Sequence, residues 1–196
     1  MNIDPSIFKA YDIRGIVPDQ IDKTFAEALG IAYAHYVQSK IPDKTLTVCV
    51  GRDNRLSSDE LTAALIESLR SQGINVIDIG LTSTPLFDFV VFKESLDGGI
   101  MVTASHNPPQ YNGFKMMGPG ITGIGAQTGM EEIRGKMEEI HDSRFTIHDS
   151  GTITKKDLMK EYIDTCFELV PAIPEVSKLK VVVDTGNGVS ALMVQA

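Results

Sequence analysis

Residues 98–115 read Gly-Gly-Ile-Met-Val-Thr-Ala-Ser-His-Asn-Pro-Pro-Gln-Tyr-Asn-Gly-Phe-Lys. The stretch opens as a short apolar run, Ile100-Met101-Val102, and then breaks into small and polar residues. Ser105 follows at once, with His106 and Asn107 beside it, and Pro108-Pro109 ends any regular structure. A buried strand that stops at a hydroxyl places that hydroxyl at the end of a sheet, where open α/β folds bind their ligands. Asn112-Gly113-Phe114-Lys115 then turns back toward it with a cation. The pattern suits chemistry on an anionic substrate, with phosphoryl transfer foremost. Ser-His-Asn-Pro also has the composition of a plain turn, and on spacing alone that reading stands beside the functional one.

A serine hydrolase is a third reading, disfavoured on local grounds. The nucleophile elbow needs glycine two positions to either side of the serine, and here those positions hold Thr103 and Asn107. In an extended segment adjacent side chains point to opposite faces, so His106 is expected to be badly placed as a base for Ser105. Lys115 is the candidate acid/base, because a partly buried lysine near other cations exchanges protons more readily. As a bare point charge it would bind phosphate instead, and the sequence does not separate the two. Arg14, between Ile13 and Gly15, offers a guanidinium whose geometry matches phosphate oxygens. Arg52, Asp53 and Arg55 read as a structural ion-pair cluster.

Apolar spacing sets the rest of the architecture. Residues 22–40 form a helical pattern with Phe25, Leu29, Ala32 and Tyr36 on one face. A strand at 46–50 ends at Gly51-Arg52-Asp53, and a helix at 58–71 buries Leu61, Leu65 and Leu69. Ser57 and Glu60 have capping-box spacing at its start, and Gly73 closes it. Further elements are a strand at 75–79, a helix at 84–93, strands at 100–103 and 114–117, and a helix at 131–140. Alternating strands and helices predict an α/β fold with a mixed, largely parallel sheet and flanking helices. The polar stretch 141–150 is the expected linker.

Residues 1–150 therefore read as one domain and 151–196 as the start of a second similar domain. That start holds a helix at 155–170, with Leu158, Tyr162, Cys166 and Leu169 on one face, and a strand at 179–183. A strand and the beginning of a helix cannot bury a core of their own. The chain thus reads as a fragment, with its apolar second part open to self-association.

Two glycine-rich segments carry no ligand. Gly118-Pro119-Gly120-Ile121-Thr122-Gly123 matches the dinucleotide pattern in its letters, but no helix is expected to begin within it. Gly186-Asn187-Gly188 reads as a tight turn that needs positive φ.

Of the 196 residues 42% are hydrophobic, ample for a core, and the net charge of −8 argues against a nucleic-acid partner. It does not exclude phosphate substrates, since a basic pocket can sit in an acidic protein. No apolar run approaches the ~20 residues of a membrane span, and the start Met-Asn-Ile-Asp-Pro has no signal-peptide character. Cys49 and Cys166 read as buried, reduced thiols, and the four histidines show no metal-ligand spacing. A cytoplasmic location is expected.

Thr103-Ala104-Ser105-His106-Asn107-Pro108 with Tyr111-Asn112-Gly113-Phe114-Lys115 closely resembles the active-site segment of the α-D-phosphohexomutases, the phosphoglucomutase/phosphomannomutase family. Residues 9–15 (Lys-Ala-Tyr-Asp-Ile-Arg-Gly), 51–55 (Gly-Arg-Asp-Asn-Arg) and 183–188 (Val-Asp-Thr-Gly-Asn-Gly) fit the same family in order. The resemblance covers essentially the whole chain.

It implies a phosphohexomutase first domain and an enzyme interconverting hexose 1-phosphate and hexose 6-phosphate through a phosphoserine and a bisphosphate intermediate. Ser105 would carry the phosphoryl group and, through it, one Mg²⁺. Arg14, His106, Asn107 and Lys115 would bind phosphate, and Arg14, His106 and Lys115 would assist transfer. The substrate would be mannose or glucose phosphate. Tyr11-Asp12-Ile13-Arg14 and Thr103-Ala104-Ser105 look more like that branch than the glucosamine one. The family's Asp-Gly-Asp-x-Asp-Arg metal loop is absent from these residues, so the chain alone is expected to be inactive. The other reading is a folded, non-catalytic phosphate-binding domain.

Overall fold

The computed structural model describes residues 3–140, 150–170 and 179–195. The expected linker at 141–150 lies outside them apart from Ser150. In chain order the elements are β1 (Ile13–Ile16), α1 (Lys23–Lys40), β2 (Thr47–Arg52), α2 (Ser58–Ser71), β3 (Asn75–Leu81), α3 (Thr84–Lys93), β4 (Gly99–Val102), β5 (Tyr111–Gly118), β6 (Thr122–Gly123), α4 (Met130–Glu139), β7 (Ile153–Lys155), α5 (Met159–Leu169) and α6 (Ala191–Gln195).

The strands join in one sheet of order β1-β5-β4-β2-β3-β7, with β6 on β5. The pairs β2/β3, β2/β4 and β3/β7 are parallel. β5 runs antiparallel to each of β1, β4 and β6. One reversed strand in a sheet otherwise of a single direction is the mixed, largely parallel arrangement expected from the sequence. The chain leaves β2 for β3 on one side and returns to β4 on the other. The carboxyl ends of β2 and β4 therefore flank the point where strand order reverses, which is where open α/β sheets leave a crevice.

Strand alternation splits the core in two. Val48, Val50, Ile100, Val102, Phe114 and Met116 face the larger cluster with α1, α2 and α4. Cys49 and Met101 face the smaller one with Leu86, Phe87, Val90 and Val91 of α3. Leu61, Leu65 and Leu69 of α2 are fully buried as spaced. Burial pushes the Cys49 thiol well above its ordinary range, so this cysteine is an inert core residue.

Four expectations are corrected. Ser57 makes no cap bond, and its backbone is already helical. Its hydroxyl instead accepts from Asn112 Nδ2 at 2.8 Å, a tertiary partner that outcompetes the local one. The helix expected at 155–170 begins only at Met159, because Ile153–Lys155 pairs with β3 in the first sheet, past residue 150. Cys166 is exposed, not buried. Only the amino-terminal end of the α5 face is covered: Leu158 is buried and the Tyr162 ring meets Phe89 of α3 edge-on at 5.4 Å, while Leu169 stands open. Residues 179–183 form no strand and are exposed, having no pairing partner among the described residues. No described helix is long and apolar enough to cross a membrane.

Gly113 shows how tightly the site strands pack. A Cβ there would stand 2.0 Å from the Ile13 carbonyl oxygen and 3.0 Å from that of Thr103. Gly113→Ala should force β1 off β5 and cost roughly 2 kcal/mol or more. Urea denaturation checks this, and an unchanged midpoint would contradict the close approach.

Candidate functional site

Val102 ends β4, and the chain then leaves the sheet through Thr103 and Ala104, both buried, into an exposed turn at Ser105 and His106. Ser105 adopts φ +55°, the left-handed region that non-glycine residues occupy rarely and chiefly where the surroundings over-determine it. Its N–H donates to Thr103 Oγ1 at 2.9 Å, and the Asn107 N–H donates to the Ala104 carbonyl at 3.1 Å. The left-handed step overturns the expectation that Ser105 and His106 diverge. The segment is not extended there, and Ser105 Oγ lies 2.9 Å from His106 Nδ1.

The turn is held mainly from outside. Arg55, just beyond β2, donates Nη1 to the carbonyls of Pro108 (2.8 Å) and Tyr111 (2.9 Å). Its Nη2 donates to those of Ser105 (3.1 Å) and Asn107 (2.6 Å). Nε pairs with Asp53 Oδ2 at 3.2 Å. Of the three residues read as an ion-pair cluster only Asp53 and Arg55 pair with each other, and the Arg55 cation organises the serine loop, while Arg52 pairs instead with Asp59. Asp53 is itself fixed by Ser58, whose hydroxyl donates to Oδ1 at 2.6 Å, and its own N–H donates to the Val102 carbonyl. Buried Asn112 donates to Ser57 and Ser58 and accepts the Gly113 N–H, locking β5 onto the start of α2.

Arg14 approaches from β1. Its Nη1 donates to the Ala104 carbonyl at 3.1 Å and to Asn107 Oδ1. Its Nε and Nη2 donate to Asp12 Oδ2 at 2.9 and 2.7 Å. Lys115 Nζ lies 3.7 Å from the same carboxylate oxygen. The fold therefore sets Ser105 against His106, anchors Arg14 on Ala104 and Asn107 of the same turn, and joins Lys115 to Arg14 through Asp12. Asp12 is only 7% exposed and went unrecognised in the sequence, although its place two residues before Arg14 puts both on one face of an extended segment. Arg55 was seen only as half of an ion pair, because its four other acceptors are backbone atoms.

For the Mg²⁺ expected on Ser105, the described residues offer little beyond that oxygen. Asp12 and Asp53 are already engaged by arginines, and no described cluster of three or more His, Cys, Asp or Glu gathers in metal-ligand fashion. The chain's residues do not by themselves fit a complete metal site.

Residues 5–144 match the phosphoglucomutase/phosphomannomutase alpha/beta/alpha domain I. The chain belongs to this family. It is 40% identical over 182 residues to a phosphomannomutase of Vibrio cholerae, covering 92% of this chain and 38% of that protein. It is 38% identical over 190 residues to a phosphoglucomutase of Neisseria meningitidis, covering 96% of this chain and 39% of that protein. Among solved structures, a phosphoglucomutase/phosphomannomutase family protein from Burkholderia thailandensis superposes with a TM-score of 0.78 at 32% identity, covering 99% of this chain and 42% of that one. The chain spans about two fifths of the length of these curated relatives. The fold expected of a phosphohexomutase first domain is the one observed.

Asp88 on α3 adds a pH-sensitive group beside the site. Burial pushes its carboxyl above the ordinary value of 3.8, with the charge of Lys115 acting the other way. The folded state then binds this proton more tightly than the unfolded chain, so stability falls as pH rises from the unfolded value through the folded one. The cost is absent below the ordinary value and fully present above the raised one. Asp88→Asn should raise the urea midpoint at pH 7 and change it little at about pH 3.5. A lowered midpoint at pH 7 would show that attraction to Lys115 outweighs burial.

Proposed function

We propose that this chain is the phosphoserine-bearing part of a phosphohexomutase that interconverts hexose 1-phosphate and hexose 6-phosphate, of mannose or glucose, in the cytoplasm. The observation that carries the reading is an exposed serine hydroxyl at the switch point of the sheet, on a turn whose backbone is fixed by two arginines. A covalent carrier must be reachable by its substrate yet held in one place, and this turn satisfies both needs. Family membership supplies the reaction class.

In the forward step phosphorylated Ser105 gives its phosphoryl group to a hydroxyl of the hexose monophosphate. The Oγ–P bond breaks and an O–P bond forms at the sugar. The hydroxyl proton passes to a base, for which Lys115 is the candidate, and Ser105 Oγ takes a proton back. The bisphosphate so formed reorients and returns its other phosphoryl group to Ser105. Little covalent work falls to the protein in such transfers, so cations and positioning carry most of the catalysis. His106 hydrogen-bonds the nucleophile, Arg14 and Asn107 meet the phosphoryl oxygens, and Lys115 stands on the same side. When bound, Mg²⁺ would neutralise charge on the phosphoserine; Ser105 is the one ligand this chain would contribute.

Residues 151–196 serve in this reading as the connection to, and the start of, a second unit. Recognition of the sugar hydroxyls is assigned outside this chain, so turnover of hexose phosphates is not expected of it alone.

Phosphoryl capture is the test. The full-length protein that carries this chain, incubated with glucose 1,6-bisphosphate and Mg²⁺, should acquire one phosphoryl group on Ser105 by mass spectrometry. Ser105→Ala should acquire none, and Lys115→Met should slow capture roughly a hundredfold, as loss of an acid/base does. Phosphate binding without any labelling of Ser105 would favour the other reading, a non-catalytic phosphate-binding domain.

A further inference from the structure

The geometry points to Asp12 as a positioning residue that keeps Arg14 committed to the serine loop and offsets part of the positive charge facing Ser105. The part that concerns phosphate rests on the function proposed above; the part that concerns Arg14 does not.

Asp12 is a buried carboxylate between two cations. One oxygen, Oδ2, accepts both Nε and Nη2 of Arg14 and lies 3.7 Å from Lys115 Nζ. The side edge of the guanidinium, Nε with Nη2, is one of the two edges that can grip an oxyanion with parallel hydrogen bonds. Here Asp12 occupies it. The opposite corner, Nη1, is bonded to the Ala104 carbonyl and Asn107 Oδ1. Arg14 can therefore meet a phosphoryl oxygen only at its outer end, with the second N–H of Nη2, the one of its five donors that Asp12, Ala104 and Asn107 leave uncommitted. Lys115 carries no such commitment: its side chain is 34% exposed, and Asp12 is its one salt-bridge partner among the described residues.

Two cations facing an oxyanion would hold it tightly in every state, bound product included. A fixed carboxylate between them cancels part of that attraction and fixes the direction of what remains. The same carboxylate gives Arg14 a second anchor on its own strand. The guanidinium then behaves as a rigid brace from β1 to the turn after β4, across the β5 strand that separates β1 from β4 in the sheet.

The test uses the 196-residue chain with Asp12→Asn, which keeps the shape and removes the charge, and Asp12→Glu as the conservative variant. Two readouts are taken. The first is solvent exchange of the Arg14 Nε–H by ¹⁵N NMR. The second is the affinity for inorganic phosphate, followed at the Ser105 and His106 amides. In Asp12→Asn the Nε–H should exchange at least about tenfold faster, as loss of a charge-assisted bond allows. Phosphate should bind about three- to tenfold more tightly, because an opposing charge has gone. Asp12→Glu should recover most of the slow exchange and the weaker binding. A merely structural role would weaken phosphate binding together with the fold, which the amides of β2 and β4 report in the same spectra. Unchanged Nε–H exchange in Asp12→Asn, or weakened phosphate binding with those strands intact, would overturn the assignment. Faster Nε–H exchange with no phosphate binding by any form, wild type included, would uphold the brace and remove the charge-offsetting half of the proposal along with the proposed function.

Discussion

The serine loop depends on one guanidinium. Between β4 and β5 the chain turns outside the sheet, and backbone acceptors there and at the start of β5 must find donors. Arg55 satisfies four of them at once, at Ser105, Asn107, Pro108 and Tyr111. Arginine is the one side chain with five donors in a fixed plane. A lysine could not span the same fan of acceptors. The cost of a partly buried charge is met by Asp53, which is in turn pinned by Ser58 and by the carbonyl of Val102 at the end of β4. Remove the guanidinium and the left-handed step at Ser105 loses its main outside support.

The sheet explains why this arginine is there. Parallel strands joined by helices on both faces leave their carboxyl ends open where strand order reverses, and β2 and β4 meet at that place. The loop after β2 carries Arg55, and the loop after β4 carries Ser105. β5 runs back beside β4, placing Lys115 opposite Met101 and Gly113 opposite Arg14. β1 then delivers Asp12 and Arg14 on the far side. The chemical groups come from β1, β5 and the loops after β2 and β4, so the site exists only when the two-sided core is complete.

The long elements were plain in the sequence because their periods are long enough to read: Leu61, Leu65 and Leu69 can only be one helix face. Ser105, His106, Asn107, Arg14 and Lys115 were equally plain as candidates, since their segments carry dense polar signals at strand ends. Less could be read where partners are distant or are backbone atoms. The role of Arg55 lies in four carbonyls, which leave no mark in a sequence. Asp12 looks like an ordinary surface acid until β1 packs beside β5. The three residues of β7 are too few to show an alternation. Residues 179–183 have strong β propensity, but a strand is made by its neighbours as much as by its side chains. Ser57 had the right spacing for a helix cap and was taken by Asn112 instead.

The most direct measurement is amide hydrogen exchange across residues 103–113 in wild type and in Arg55→Met, which keeps much of the apolar stem and removes every donor. If the guanidinium is what fixes the loop, exchange at Asn107 and Tyr111 should quicken by tenfold or more, on the order of what one or two lost charge-assisted bonds allow. The interior amides of β2 and β4 should hold their protection. Unchanged exchange at Asn107 and Tyr111 in a folded Arg55→Met protein would contradict the dependence of the serine loop on this one residue.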